Sequence, residues 1–266
     1  MKLVALIQYK GTDFSGFQRQ NNAPSIQEAI EDALHIITQE DCKINYAGRT
    51  DAGVHALSQA FDFTTNIERD CEDWIKGLNS NLPNSLLVTQ IIKADDDFHS
   101  RFSALARSYT YCIYNSNQKP IFFADYVHWE KRKIDITKIQ DQIISFKGEH
   151  DFSAFRSSNC NSKNPTKNIS EINLSIKDNY IFLNITANAF LQNMVRIIAG
   201  TLVDIGKGEN TNSVKDIIIS KDRTQAGRTL SSQGLFFLGP HYDQSVNLNT
   251  PSKNILEFFN YLWIKK

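Results

Sequence analysis

The sequence predicts an α+β fold of two similar α/β subdomains, each with mixed antiparallel strands and with helices on one side. Three observations predict it. Short β-rich runs are interleaved with apolar stripes at helical spacing along the chain. The same ingredients begin again after the acidic run Asp95-Asp96-Asp97, although no repeat is visible at the level of residues. The charge also changes sign there: residues 1–100 carry 8 basic and 15 acidic side chains, residues 101–266 carry 21 and 14. The expected division is an N-terminal subdomain over 1–100 and a more basic C-terminal one over 101–266.

The elements follow in order. Residues 3–9 are a strand, followed by a turn at Gly11-Thr12-Asp13. Ser25 and Glu28 have N-cap and N3 spacing, and Ile26, Ala29, Ile30, Ala33, Leu34 and Ile37 form the apolar stripe of the helix they start. Short strands at 42–47 and 57–63 flank a Gly-containing loop. A helix over 71–78 is ended by Asn79-Ser80-Asn81-Leu82-Pro83, and a strand follows at 86–92. In the second half the pattern gives strands at 108–114, 171–177, 180–187 and 234–238. Helices are expected over 135–146, 189–205 and 213–220. The stretch 115–133 has no readable period.

Composition narrows the class. At 41% apolar and 22% charged residues, the chain has the usage of a folded globular protein, not of a disordered or coiled-coil one. No apolar run reaches the roughly 18 residues of a membrane span, and the N-terminal apolar run is too short for a signal peptide, so the expected location is cytoplasmic. Cys42, Cys71, Cys112 and Cys160 have neither zinc-site nor disulfide spacing. The acidic run at 95–97 reads as a solvated loop, and Gly200 to Gly208 as a helix C-terminus whose spacing does not fit a phosphate loop.

The segment most suited to chemistry is Gly48-Arg49-Thr50-Asp51-Ala52-Gly53-Val54-His55-Ala56, between two expected strands. Two glycines bracket a carboxylate with a cation and a hydroxyl beside it, a pattern that spacing alone reads first as an Asx-type turn with a surface ion pair. The string resembles the signature of the TruA family of tRNA pseudouridine synthases, and further segments resemble that family in the same order. These are Tyr9 to Gln18, Phe98 to Ala104, Arg107 to Tyr111, His150 to Phe155, Phe190 to Arg196, Arg223 to Gly227 and Gly234 to Phe236.

The resemblance implies isomerisation of uridine to pseudouridine at positions 38, 39 and 40 of the tRNA anticodon stem-loop. It also implies a central RNA-binding cleft, no metal or organic cofactor, and a homodimer with tRNA spanning both subunits. It makes Asp51 the catalytic group, acting at C1′, at C6 or on a ribose proton. Arg196 becomes its ion-pair partner: an arginine in an apolar helix needs an acidic partner. Tyr109 and Leu235 would sandwich the flipped base, and Arg49 would assist its extrusion. Arg101, Arg107, Lys131 and Arg132 are candidates for phosphate contacts, as are Arg156, Lys163 and Lys167.

The sequence departs from the family's pattern at Lys119 to Ala124, at Asn164 to Lys167 and after Gly227, which concerns RNA docking more than the Asp51 loop. A competing reading is a tRNA-binding or folding module without turnover. A third, a small-molecule lyase or hydrolase using Asp51, predicts turnover of free nucleosides.

Overall fold

A computed structural model describes residues 1–158, 160 and 162–249. The described residues form two compact units, one of residues 1–108 with 237–249 and one within 109–236. Compactness thus divides the chain at 108/109 and again at 236/237, where the restart of the pattern and the charge shift suggest one boundary at 100/101. A charge balance sees only solvated side chains, whereas the unit boundaries fall inside two strands. Among the described residues no helix is long and apolar enough to cross a membrane.

The first unit is built on β1 (Lys2–Tyr9), which pairs antiparallel with both β3 (His55–Thr64) and β4 (Leu86–Ala94). As the middle strand it needs two covered faces, and Leu3 to Ile7 are accordingly all buried. The short β2 (Asn45–Tyr46) adds to β3, so the expected strand at 42–47 keeps only two residues. Helix α1 (Ile26–Thr38) starts where the cap signal puts it: Ser25 Oγ accepts from the Glu28 N–H at 3.2 Å. Its buried stripe contains Ile26, Ile30, Ala33 and Leu34. Helix α2 (Cys71–Asn81) packs on β4 and runs a turn longer than the sequence predicts. Asn79 is not a stop signal; its side-chain amide donates to the Val88 carbonyl and accepts from the Val88 N–H, at 2.9 and 2.8 Å, fastening helix to strand.

The second unit contains β5 (Ala106–Asn115) from Tyr109 onward, β6 (His128–Glu130), α3 (Ile136–Ile143), β7 (Gly148–Asp151), β8 (Thr166–Lys177), β9 (Tyr180–Ala187), α4 (Met194–Gly206) and α5 (Val214–Ser220). Strand order is β5-β9-β8-β7, antiparallel from β9 to β7, with β6 parallel to β5. The last strand, β10 (Leu235–His241), begins here and continues into the first unit beside β3.

Helix α4 starts at Met194, five residues later than its apolar period suggests. Asn193 takes a left-handed conformation (φ 62°), and the Asn188 side chain accepts from the N–H groups of Asn168 and Ala189, holding that stretch out of the helix. Arg196 consequently lies in the first turn of α4.

His128, on β6, has its Nδ1 3.2 Å from Ser231 Oγ, while its buried Nε2 has no partner among the described residues. Burial first, and then the charge of Arg228, push its pKa down to about 4. Folding therefore selects the neutral ring, whereas the unfolded chain binds a proton below about pH 6.5. The stability this contributes is complete above that pH and is lost as pH falls towards 4, on the order of 2–3 kcal/mol. Thermal melts of wild type and His128→Gln at pH 7 and 4.5 test it: the variant is expected to lose less stability on acidification, and equal losses would refute the assignment.

Candidate active site

In the first unit the segment between β2 and β3 is held at Ala47, Gly48, Thr50, Asp51 and Val54. Ala47 donates its N–H to the Ala60 carbonyl at 2.9 Å. Its own carbonyl accepts from Nε and Nη2 of Arg107, both at 3.3 Å. The next carbonyl, Gly48 O, accepts from Nε2 of the fully buried Gln59 at 2.6 Å. The Thr50 carbonyl accepts from the Phe17 N–H at 3.0 Å, and its hydroxyl lies 2.8 Å from the Tyr9 phenol oxygen. Burial pushes the Tyr9 pKa up against the hydrogen bonds with Thr50 and Gln59, so the phenol stays protonated.

The turn then closes through the Val54 N–H on the Asp51 carbonyl at 3.1 Å, with Gly53 at φ 78°. The Gly11 N–H donates to His55 Nδ1 at 3.2 Å. Two glycines let the Tyr9–Phe17 segment lie this close. A Cβ on Gly11 would stand 1.9 Å from the Val54 carbonyl oxygen; one on Gly16, whose φ is 103°, would stand 2.9 Å from that of Thr50. With Thr50 tied inward, Arg49 is exposed and Asp51 half-buried. A carboxylate is thus presented at the surface of a loop whose backbone has little freedom, the preorganisation that positioned catalysis requires.

In the second unit the start of α4 gathers the other candidates. Arg196 donates from Nε to the Leu230 carbonyl at 2.7 Å and from Nη1 to Asn193 Oδ1 at 2.8 Å. The Leu230 N–H returns a bond to the Arg196 carbonyl at 3.3 Å. Segment 227–230 presses on the helix: the Gly227 N–H donates to Thr201 Oγ1 at 2.8 Å, and a Cβ on Gly200 would meet the Arg228 carbonyl oxygen at 1.9 Å. Tyr109, buried on β5, meets the Phe190 ring edge-on at 5.0 Å, so residues 190–193 serve both it and Arg196. Leu235 is buried at the start of β10, and Tyr111 is core, its hydroxyl donating to the Ser231 carbonyl at 2.7 Å.

The phosphate candidates separate. Arg101 and Lys131 are exposed. Arg132 pairs with Glu209, just past the end of α4, and with Glu130 at 4.0 Å. That is the opposite end of the helix from Arg196, about 20 Å away at 1.5 Å per residue. Arg107 is half-buried against backbone, donating also to the carbonyls of Ala104 at 3.1 Å and of Arg101. Lys167 is buried as well: its ammonium donates to the carbonyls of Asn164 and Thr166, and burial lowers its pKa.

Tyr9, Gln59 and the loop-holding contacts of Arg107 are not evident from the sequence. The available signal is β3 itself, where Ser58, Gln59 and Asp62 are polar residues in a strand buried on both faces. Such groups cost free energy unless they are hydrogen-bonded, so their presence marks a task.

The family model described as tRNA pseudouridine synthase matches residues 5–103 and 143–243. Those ranges include Arg49, Asp51, Arg101, Arg196 and Leu235, and leave out Arg107, Tyr109, Lys131 and Arg132. The tRNA pseudouridine synthase A of Hydrogenovibrio crunogenus is 40% identical over 250 residues, covering 93% of this chain and 95% of that protein. The tRNA pseudouridine synthase A of Francisella tularensis subsp. tularensis is 39% identical over 239 residues, covering 90% and 93%. A match of this extent, across both units and through the Asp51 loop, establishes that the chain belongs to the tRNA pseudouridine synthase family, isomerases that convert uridine to pseudouridine in tRNA.

Proposed function

We propose that the protein isomerises uridine at positions 38, 39 and 40 of the tRNA anticodon stem-loop, with Asp51 as the catalytic group. The observation that carries this reading is the half-buried Asp51 on a backbone fastened at Ala47, Gly48, Thr50 and Val54. The reaction breaks the bond from ribose C1′ to N1, turns the base, and joins C1′ to C5. The C5 hydrogen leaves as a proton and N1 gains one, so the net change is an isomerisation that needs no redox partner. A carboxylate suits the first step by attack at C1′, by attack at C6, or by taking a ribose proton.

The target uridine must leave its stack, at a cost of a few kcal/mol. Stacking on Tyr109, with Leu235 on the other face, offsets it by roughly 1–3 kcal/mol. Arg49, exposed beside Asp51, fills the vacated space, and Arg196 is the ion-pair partner of the Asp51 carboxylate in this reading. Arg101 and Lys131 meet phosphates, Arg132 at most a distant part of the tRNA. The enzyme acts in the cytoplasm as a homodimer whose subunits share one tRNA.

The test is release of tritium from tRNA carrying 5-tritiated uridine, followed by mapping of the product. Release with pseudouridine confined to positions 38–40 is expected. Binding without release would leave a tRNA-binding module instead, and product elsewhere would overturn the positions. The Arg196 assignment has its own check. Arg196→Lys removes the planar fork that meets the Leu230 carbonyl and Asn193 while keeping the charge. A fall in kcat of about ten-fold or more is expected; full activity would refute the pairing.

A further inference from the structure

The loop between β4 and β5 is as firmly held as the Asp51 loop, and its task lies outside the fold. Asp62 Oδ1, buried on β3, accepts from the Ser100 N–H at 2.7 Å. The Tyr242 hydroxyl donates to the Ser100 carbonyl at 2.7 Å, and the Tyr242 ring packs on Phe98 at 5.2 Å. The Ser103 N–H donates to the His99 carbonyl, the Leu105 N–H to the His241 carbonyl, and Arg107 donates to the carbonyls of Arg101 and Ala104. A loop fixed this way would be expected to turn its apolar side chains inward. Instead Phe102 is 73% exposed.

The surroundings of that ring are specific. The His99 ring lies 4.4 Å from it, centroid to centroid, and the Arg101 guanidinium carbon lies 5.4 Å from its centre. Apart from Leu105, no other large apolar side chain on this loop is exposed, too small a patch for the roughly 800 Å² per partner of a stable protein interface. A largely exposed aromatic ring with a guanidinium lying over it suits a flat aromatic ligand that carries negative charge, which describes a nucleotide. The loop is also joined to the site: Arg107, which holds the Arg101 and Ala104 carbonyls, holds Ala47 at the start of the Asp51 loop with the same guanidinium.

We infer that Phe102 is a stacking platform for an unpaired base of the substrate tRNA, with Arg101 on the adjoining phosphate. The inference rests on the tRNA reading above and adds a binding subsite to it. Because the ring is exposed, Phe102→Ala should leave the thermal midpoint unchanged, so its effect reports on binding alone.

The experiment measures tRNA affinity of the full chain by filter binding at several salt concentrations, beside tritium release by the wild type. Phe102→Ala is expected to raise Kd about ten-fold with an unchanged salt slope. Phe102→Trp should restore affinity and Phe102→Leu should not, because stacking needs a π-face and not merely an apolar group. Arg101→Gln should lower the salt slope by about one. Wild-type affinity in Phe102→Ala, or equal rescue by Leu and Trp, would overturn the subsite. So would a dimer that dissociates in Phe102→Ala, since the occupant would then be a second copy of the chain. Failure of the wild type to bind tRNA would refute the tRNA reading itself, and is thereby distinguished from failure of the subsite.

Discussion

Asp51→Asn is expected to release no tritium from 5-tritiated tRNA while binding that tRNA at least as tightly as wild type. The amide matches the carboxylate in size but can neither attack carbon nor take up a ribose proton, so all three routes to glycosidic cleavage close together. The loop should keep its shape, because the bonds that hold it engage the backbone of Ala47, Gly48, Thr50 and Asp51 and the Thr50 hydroxyl. Binding should not weaken, since the substitution removes a negative charge, which would oppose the approach of a polyanion. A loss of at least about 10⁴-fold in kcat is expected for removal of the group that makes or breaks the covalent bond. Single-turnover tritium release with saturating enzyme measures it, and activity within ten-fold of wild type would move the catalytic group elsewhere.

Gly11→Ala should have the second-largest effect, although Gly11 is buried and carries no side chain. Its Cβ would fall 1.9 Å from the Val54 carbonyl oxygen and 2.7 Å from the carbonyl carbon, so backbone would have to give way. The Tyr9–Phe17 segment and the Asp51 turn would separate by an ångström or more, straining the Phe17–Thr50 and Tyr9–Thr50 bonds. Overpacking of this kind costs about 1–3 kcal/mol, and misplacing a reacting group by 1 Å costs about 10²-fold in rate. Gly77→Ala provides the contrast. There the nearest atom is the flexible Ile37 Cδ1 at 3.4 Å, the site is inside α2, and a neutral or slightly stabilising effect of up to about 1 kcal/mol is expected. Thermal midpoints and kcat measured side by side decide it: if Gly11→Ala behaves like Gly77→Ala, the close approach is not what places the turn.

How far the sequence reveals this structure depends on whether the decisive partner is local. The start of α1 is legible because Ser25 and Glu28 are three residues apart. The start of α4 is not, because Asn188 pairs with Asn168, twenty residues away across the sheet, and apolar periodicity carries no trace of that bond. The two-residue β2 and the short β6 and β7 are defined by their neighbours rather than by their own pattern. In the candidate site, Asp51 stands out because its neighbours in the chain form a recognisable string. Arg107 and Lys167 read as solvent-facing cations, since in a linear sequence nothing distinguishes an arginine that will hold carbonyls from one that will meet phosphate.

The two strands in which the chain passes between units impose a timetable. Residues 109–236 are contiguous and are complete when synthesis reaches the start of β10, so that unit can fold on emerging from the ribosome. The unit that carries Asp51 cannot, although most of it is made first. Its strand β3, with Gln59 beneath the Asp51 turn, acquires β10 as a neighbour only after residues 237–241 are made, and Tyr242 reaches Ser100 one residue later. The first unit is therefore complete only when the sequence through Tyr242 has been made, although the contacts that fasten the Asp51 loop all lie within residues 9–107.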